Sequence, residues 1–313
     1  MKRINLYIPE ETDILVDNLS EMIQVNRSEI IRKAIELYAE KYTTELNEFT
    51  QGLTGLEEPK TENVFLKTCF DNVEYFIENA VSINTFDGVH PFKLYDFQKQ
   101  LLFKLDNYNQ LIITHARQLG ITTTTLAYAL HYALTKPNQV LGLVSTKMIL
   151  SQEMLTRLKD MYSSLPEIIK TKVTLETSNK TGMVLSNGTR IMCTTADCCS
   201  IRGLSINMLI IDNASYITDV KFKDFLDIVL PTQPTKVIIS SSPNGYNYYY
   251  KLWVDAITNC NPLHAIMIKW DVLSQHRDQE WKNRLIKEIG SVQFSEEFEC
   301  EFINKTNKGN LYS

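Results

Sequence analysis

No apolar run in the chain approaches the roughly 18–20 residues that a membrane span requires, so a membrane protein of the helical kind is not expected. The opening stretch Met1-Lys2-Arg3-Ile4-Asn5-Leu6 lacks the apolar core of a signal peptide. The six cysteines, at 69, 193, 198, 199, 260 and 300, contain no C-x-x-C pair, and the five histidines do not gather near them. Zinc-ribbon and disulfide frameworks are thereby disfavoured, and vicinal Cys198-Cys199 reads as two small buried residues. A reducing, cytoplasmic setting follows. Cations are not in excess either: 32 Lys and Arg against 37 Asp and Glu leave a net charge of −5. That excludes a surface coated in cations for nucleic acid, though not a local basic face. What remains is globular: 313 residues, 44% apolar, 10% aromatic and 22% charged, enough for two domains or one large domain with an appendage.

Residues 1–43 form a unit of their own. Ile4, Leu6 and Ile8 alternate with Arg3, Asn5 and Tyr7, which predicts a strand over 2–8. Pro9 stops it, and Glu10-Glu11 place acids in the first turn of a helix carrying Leu15, Leu19, Met22 and Ile23. Asn26 or Ser28 can cap a second helix whose apolar stripe is Ile30, Ile31, Ala34, Ile35 and Tyr38. One strand and two short helices cannot bury a core alone, so the unit requires a twin. The segments Lys2–Glu11 and Asn26–Ile35 resemble a ribbon-helix-helix domain, a family whose dimeric ribbon enters the DNA major groove. The resemblance implies that Arg3, Asn5 and Tyr7 face base edges and that Arg27 and Ser28 clamp a backbone phosphate. Residues 1–45 nevertheless hold six cations against nine acids, a balance of −3. A dimerisation module without DNA contact is the alternative. Residues 44–62, with Gly52, Gly55 and Pro59, read as a linker that ends by residue 63, and residues 305–313 as a tail.

From 64 to 304 strand-like and helical segments alternate, predicting an α/β fold with a mostly parallel sheet. Leu111-Ile112-Ile113, Gln139–Ser145 and Lys236–Ser241 read as short strands, and Thr122 to about Leu134 as an Ala/Leu-rich helix. Residues 116–123, Ala-Arg-Gln-Leu-Gly-Ile-Thr-Thr, have the outline of a phosphate-binding loop. Such a loop needs backbone N–H groups around the phosphates, a lysine on the β/γ-phosphates and a hydroxyl on Mg²⁺. Gly120 supplies the turn and Thr122 the hydroxyl, but Ile121 stands where the lysine belongs. About 90 residues on, Met208-Leu209-Ile210-Ile211-Asp212-Asn213 looks like a buried strand ending in a Walker B aspartate, with Asn213 in place of the expected glutamate. Asparagine cannot accept the proton of an attacking water.

Five segments resemble, in order, the ATPase domain of tailed-phage terminase large subunits, the motors that pump DNA into capsids. They are Leu94–Gln98, the loop 116–123, Ile201-Arg202-Gly203, Leu209–Asn213 and Val237–Gly245, followed by the aromatic run Asn247–Trp253. The resemblance implies a nucleotide site of Gln98 at the adenine edge, Arg117 on the γ-phosphate, Gly120, Thr122 and Thr123 at the loop, and Asp212. Thr122 and Asp212 would hold Mg²⁺ only if nucleotide binds, and Mg-ATP is expected to bind weakly at best. Ser242, Pro243, Asn244 and Gly245 would form the family's coupling motif. Lys147 and Arg117 are the cations that could stand in for the absent lysine. The family's nuclease has no counterpart before the chain stops, so DNA cleavage is not expected. The expected protein is a phage or mobile-element DNA-binding dimer in the bacterial host, with an impaired ATPase domain that meets DNA or a terminase–portal complex. A slow packaging ATPase and a ribbon-helix-helix transcriptional regulator are the alternatives.

Overall fold

Leu111, Ile112 and Ile113 show how the larger domain is assembled: consecutive side chains of one buried strand feed two different cores. The computed structural model describes residues 60–197, 205–273 and 277–304. The ribbon, helix and linker readings on residues 1–59, the Ile201–Gly203 segment, Cys198-Cys199 and the tail therefore lie outside the described residues.

The chain enters through α1 (Lys60–Asp71) and α2 (Val73–Ala80), a two-stranded hairpin β1 (Ser82–Thr85) and β2 (Gly88–Pro91), and α3 (Asp96–Asn107). There follow β3 (Gln110–His115), α4 (Ile121–Thr135), β4 (Val140–Ser145), α5 (Met148–Ser164) and α6 (Glu167–Lys172). Then come β5 (Leu175–Asn179), β6 (Gly182–Leu185), β7 (Arg190–Thr195), β8 (Met208–Asp212), α7 (Asp219–Val229), β9 (Lys236–Ser241) and α8 (Tyr248–Ile257). The described part closes with β10 (His264–Ile268), α9 (Gln279–Ile289) and α10 (Ser291–Glu297). The strands read at 111–113, 139–145, 208–212 and 236–241 and the helix read after the loop are present, and α1 begins at Lys60, within the stretch read as linker.

Eight strands form one sheet in the order β10-β3-β9-β8-β4-β7-β6-β5, parallel from β10 to β7 and antiparallel across β7, β6 and β5. Because side chains alternate across a strand, Leu111, Ile113, Ile210 and Ile238 join a core shared with α2 to α6, whereas Ile112, Leu209, Ile211, Val237 and Ile239 join one shared with α7 and α8. Every residue of β8 and β9 is buried, as expected of central parallel strands covered on both faces. Lys236, buried at the start of β9, donates to the carbonyls of Leu105 and Asp106 and so satisfies the end of α3. Burial lowers its pKa. No described helix is long and apolar enough to cross a membrane.

Candidate functional site

The strand order places β9 between β3 and β8, so the loop after β3, the end of β8 and the loop after β9 emerge side by side at the carboxyl ends of parallel strands. That is where open α/β sheets bind ligands. A cavity of about 570 Å³ opens there, lined by Arg117, Gln118, Thr122, Asp212, Asn213 and Ser242, with Leu285, Ile289 and Phe298 on its apolar side.

The loop turns sharply at Gln118 and Gly120, both at positive φ. Gly120 lies at φ +72° and begins α4, and a Cβ there would come within 2.8 Å of Gln98 Nε2, so glycine suits the conformation and spares the Gln98 amide a shift. Gln98 is 3% exposed. Its Oε1 accepts the Tyr95 N–H at 3.1 Å and its Nε2 donates to the Leu119 carbonyl at 3.1 Å. Arg277 donates to the carbonyls of Arg117 (3.3 and 3.4 Å) and Gln118 (3.1 Å), while its guanidinium sits 4.9 Å from the Trp281 ring. Three successive loop carbonyls are thus held by protein donors.

Thr122 Oγ1 donates to Asp212 Oδ2 at 3.0 Å, and Ser240 Oγ donates to Asp212 Oδ1 at 2.9 Å. Asn213, at φ +56°, turns its amide onto the same carboxylate, Nδ2 to Oδ2 at 3.3 Å. Thr123 does not face this cavity; it lines a second one of about 520 Å³ with Ser82, Asn84 and Asp160, and the two share Glu153 and Arg157. The side chain of Ile121 is 2% exposed and belongs to the apolar core. Lys147 is exposed at the start of α5. The DNA-facing residues read in the sequence, Arg3, Asn5, Tyr7, Arg27 and Ser28, lie outside the described residues.

Several participants carried no local signal. Ser215 accepts the amides of Asn244 and Asn247 on its carbonyl at 3.0 and 2.7 Å, and its Oγ donates to the Ser242 carbonyl at 2.7 Å, tying the loop after β8 to residues 242–247. Glu297 pairs with Arg117 at 3.1 Å, and Glu296 accepts the Gly245 N–H at 2.8 Å. The aromatic run resolves mainly into packing: Tyr249 is buried, and its hydroxyl donates to the Ile113 carbonyl at 3.0 Å.

His115, next to the loop, donates through Nδ1 to the Ala116 carbonyl at 2.9 Å and leaves a buried Nε2 with no partner among the described residues. Burial lowers its pKa, despite Asp212 nearby, and burial likewise lowers that of His131. Below about pH 6.5 the unfolded chain takes up protons that these folded imidazoles resist, so stability falls as pH falls. Melting temperatures should drop between about pH 7.5 and 5.5, the range that brackets the ordinary imidazole pKa. Replacing both histidines by glutamine should flatten that slope, and an unchanged slope would count against this origin.

A family model for the N-terminal part of the T4-like-virus type of terminase large subunit matches residues 112–313, and a ribbon-helix-helix domain model matches residues 2–43. Among solved structures, the large-terminase ATPase domain of Thermus phage P74-26 superposes with a TM-score of 0.58 at 17% identity, covering 68% of this chain and 95% of that one. The bacteriophage HK97 large terminase gives 0.61 at 17% identity over 74% of this chain and 55% of that one. The large terminase of a thermophilic bacteriophage, in complex with ADP, gives 0.54 at 13% identity over 67% of this chain and 54% of that one. The chain thus spans about half the length of the two whole terminases. The terminase match takes in nearly two thirds of the residues, and the chain belongs to the terminase large-subunit N-terminal family, with a ribbon-helix-helix domain ahead of it.

Proposed function

We propose that this is a phage-type DNA-binding protein whose terminase-like domain keeps the architecture of a nucleotide site without its chemistry. In this reading residues 1–43 dimerise and bind double-stranded DNA in the bacterial cytoplasm, 44–63 link, and 64–304 form a pseudo-ATPase. That domain docks on DNA or on a packaging motor and so modulates or obstructs packaging. The observation that carries the reading is the placement of Ile121: the position that should present a lysine to phosphates is spent on core packing. The charges lining the cavity support it, since Arg117 and Arg157 face Asp212, Glu153 and Glu297. Among the described lining residues, a polyphosphate would meet no excess of positive charge. Asn213 is a hydrogen-bond donor to Asp212, not a base.

The residues fit a bound Mg-nucleotide only in part. Thr122 and Asp212 would hold the metal, which when bound supplies charge neutralisation at the phosphates. Arg117 would reach the terminal phosphate. Nucleotide affinity should accordingly be weaker than micromolar by calorimetry, and steady-state ATP turnover, with or without DNA, should stay below about one per second, the low end of ordinary enzyme rates. Turnover above that level overturns the reading. A slow ATPase is the second reading, and one observation favours it: Glu297 and Glu153 bring carboxylates to the cavity wall where a base is otherwise missing.

A further inference from the structure

We propose that the last turn of α10 is a latch, in which consecutive carboxylates tie the position of Arg117 to the loop after β9. This rests on the reading above that Arg117 would reach a phosphate held, however weakly, in the cavity. Glu297 holds Arg117 twice: its Oε2 accepts the guanidinium at 3.1 Å, and its backbone carbonyl accepts the Arg117 N–H at 3.0 Å. The preceding residue, Glu296, is buried, and its Oε1 accepts the Gly245 N–H at 2.8 Å. β3 and β9 are adjacent parallel strands, with Thr114 opposite Ser241, so the two loops leave the sheet together and α10 spans both.

The two ends of the latch differ in freedom. The Arg117 side chain is 56% exposed, whereas that of Glu297 is 14% exposed. Arginine is therefore the member that swings, and a phosphate in the cavity competes for it with charge-assisted, bidentate bonds. Once Arg117 leaves, Glu297 is a largely buried carboxylate without its cation, left with the Gln293 Nε2 contact at 3.2 Å. Such a charge is costly to keep from water. Its relief is an outward shift of the helix end, which draws Glu296 off Gly245. Phe294 and Phe298, stacked at 5.3 Å, anchor the helix from behind, and Arg277 joins that cluster to the back of the phosphate loop. The loop 242–247 then loses its fastening to α10 and keeps the one at Ser215. A site that lacks the lysine and the glutamate would in this way still report its occupancy.

Hydrogen–deuterium exchange of the full chain tests the latch in the natural protein, Arg117→Gln and Glu297→Gln, each with and without inorganic pyrophosphate and Mg²⁺. Without ligand, both substitutions should speed exchange across 242–247 by about two- to five-fold, the factor set by losing one ion pair whose arginine is exposed to solvent. Glu297→Gln removes the buried charge together with the pair and should change the melting temperature least, which separates latch release from general unfolding. Faster exchange confined to 293–298, with 242–247 unmoved in both variants, overturns the latch. Pyrophosphate should produce the same acceleration in the natural chain and none beyond it in Arg117→Gln. If the variants loosen 242–247 but pyrophosphate does not, the latch stands and the anion-site reading fails.

Discussion

Ile121→Lys combined with Asn213→Glu is expected to switch on ATP hydrolysis, raising turnover by about 10²–10⁴-fold through the restored general base. The returning charge should add about 1.5–3 kcal/mol to nucleotide binding. The expectation rests on how much of the scaffold is in place. Gly120 holds its left-handed turn, Thr122 and Asp212 are in hydrogen-bond contact, and Ser240 orients the other oxygen of Asp212. Two obstacles bear on the result. The natural side chain at 121 points into the core, so a lysine there must rotate towards the cavity and leave a void, costing about 1–3 kcal/mol of stability. Position 213 has φ +56°, which asparagine tolerates better than glutamate does. Coupled-assay turnover in the double variant should vanish on adding Asp212→Asn. A folded double variant that stays silent would mean the site has lost more than these two groups.

Removing residues 1–44 should abolish both the dimer and sequence-specific DNA binding. The strand predicted over 2–8 can bury Ile4, Leu6 and Ile8 only against a second copy, and the family match over 2–43 agrees with that reading. Light scattering at micromolar concentration should give a dimer for the full chain and a monomer for the truncated one. A full-length monomer would refute the assembly. Within the ribbon, Arg3→Ala should cost about 1–3 kcal/mol on a specific site, because an arginine at a base edge makes a bidentate contact. Arg27→Ala should weaken binding to all sequences alike and lower the salt slope by about one. The −3 balance of residues 1–45 keeps non-specific attraction modest, so the ratio of specific to non-specific affinity should be high. If Arg3→Ala and Asn5→Ala both shift DNA as the natural chain does, the amino-terminal unit is only a dimeriser.

Much of the larger domain was legible because its signals are local. Met208–Asp212 and Lys236–Ser241 read as strands since parallel strands covered on both faces need unbroken apolar runs. Gly120 and Thr122 were visible because a phosphate loop depends on residue types a few positions apart. Glu296, Glu297, Arg277 and Ser215 were not visible. Each acts on a segment distant in sequence: Arg277 on carbonyls 160 and 159 positions away, Glu297 on an arginine 180 away. No periodicity marks such a partner. The apolar runs marked β3, β4, β8 and β9, but neither the remaining strands nor the placement of β9 between β3 and β8.

The sequence by itself determined that a loop of phosphate-binding outline follows a buried strand, that lysine and glutamate are missing from the two expected positions, and that charge cannot make the whole surface a DNA clamp. Those properties belong to residue identity and short spacing, which any fold of the chain must carry. Only the tertiary structure decided that Ile121 is turned into the core, that Gln98 braces the loop from beneath, and that Arg117 is held by Glu297. Side-chain direction and the pairing of charges depend on which elements pack together, and packing brings together residues whose separation along the chain carries no information about their contact.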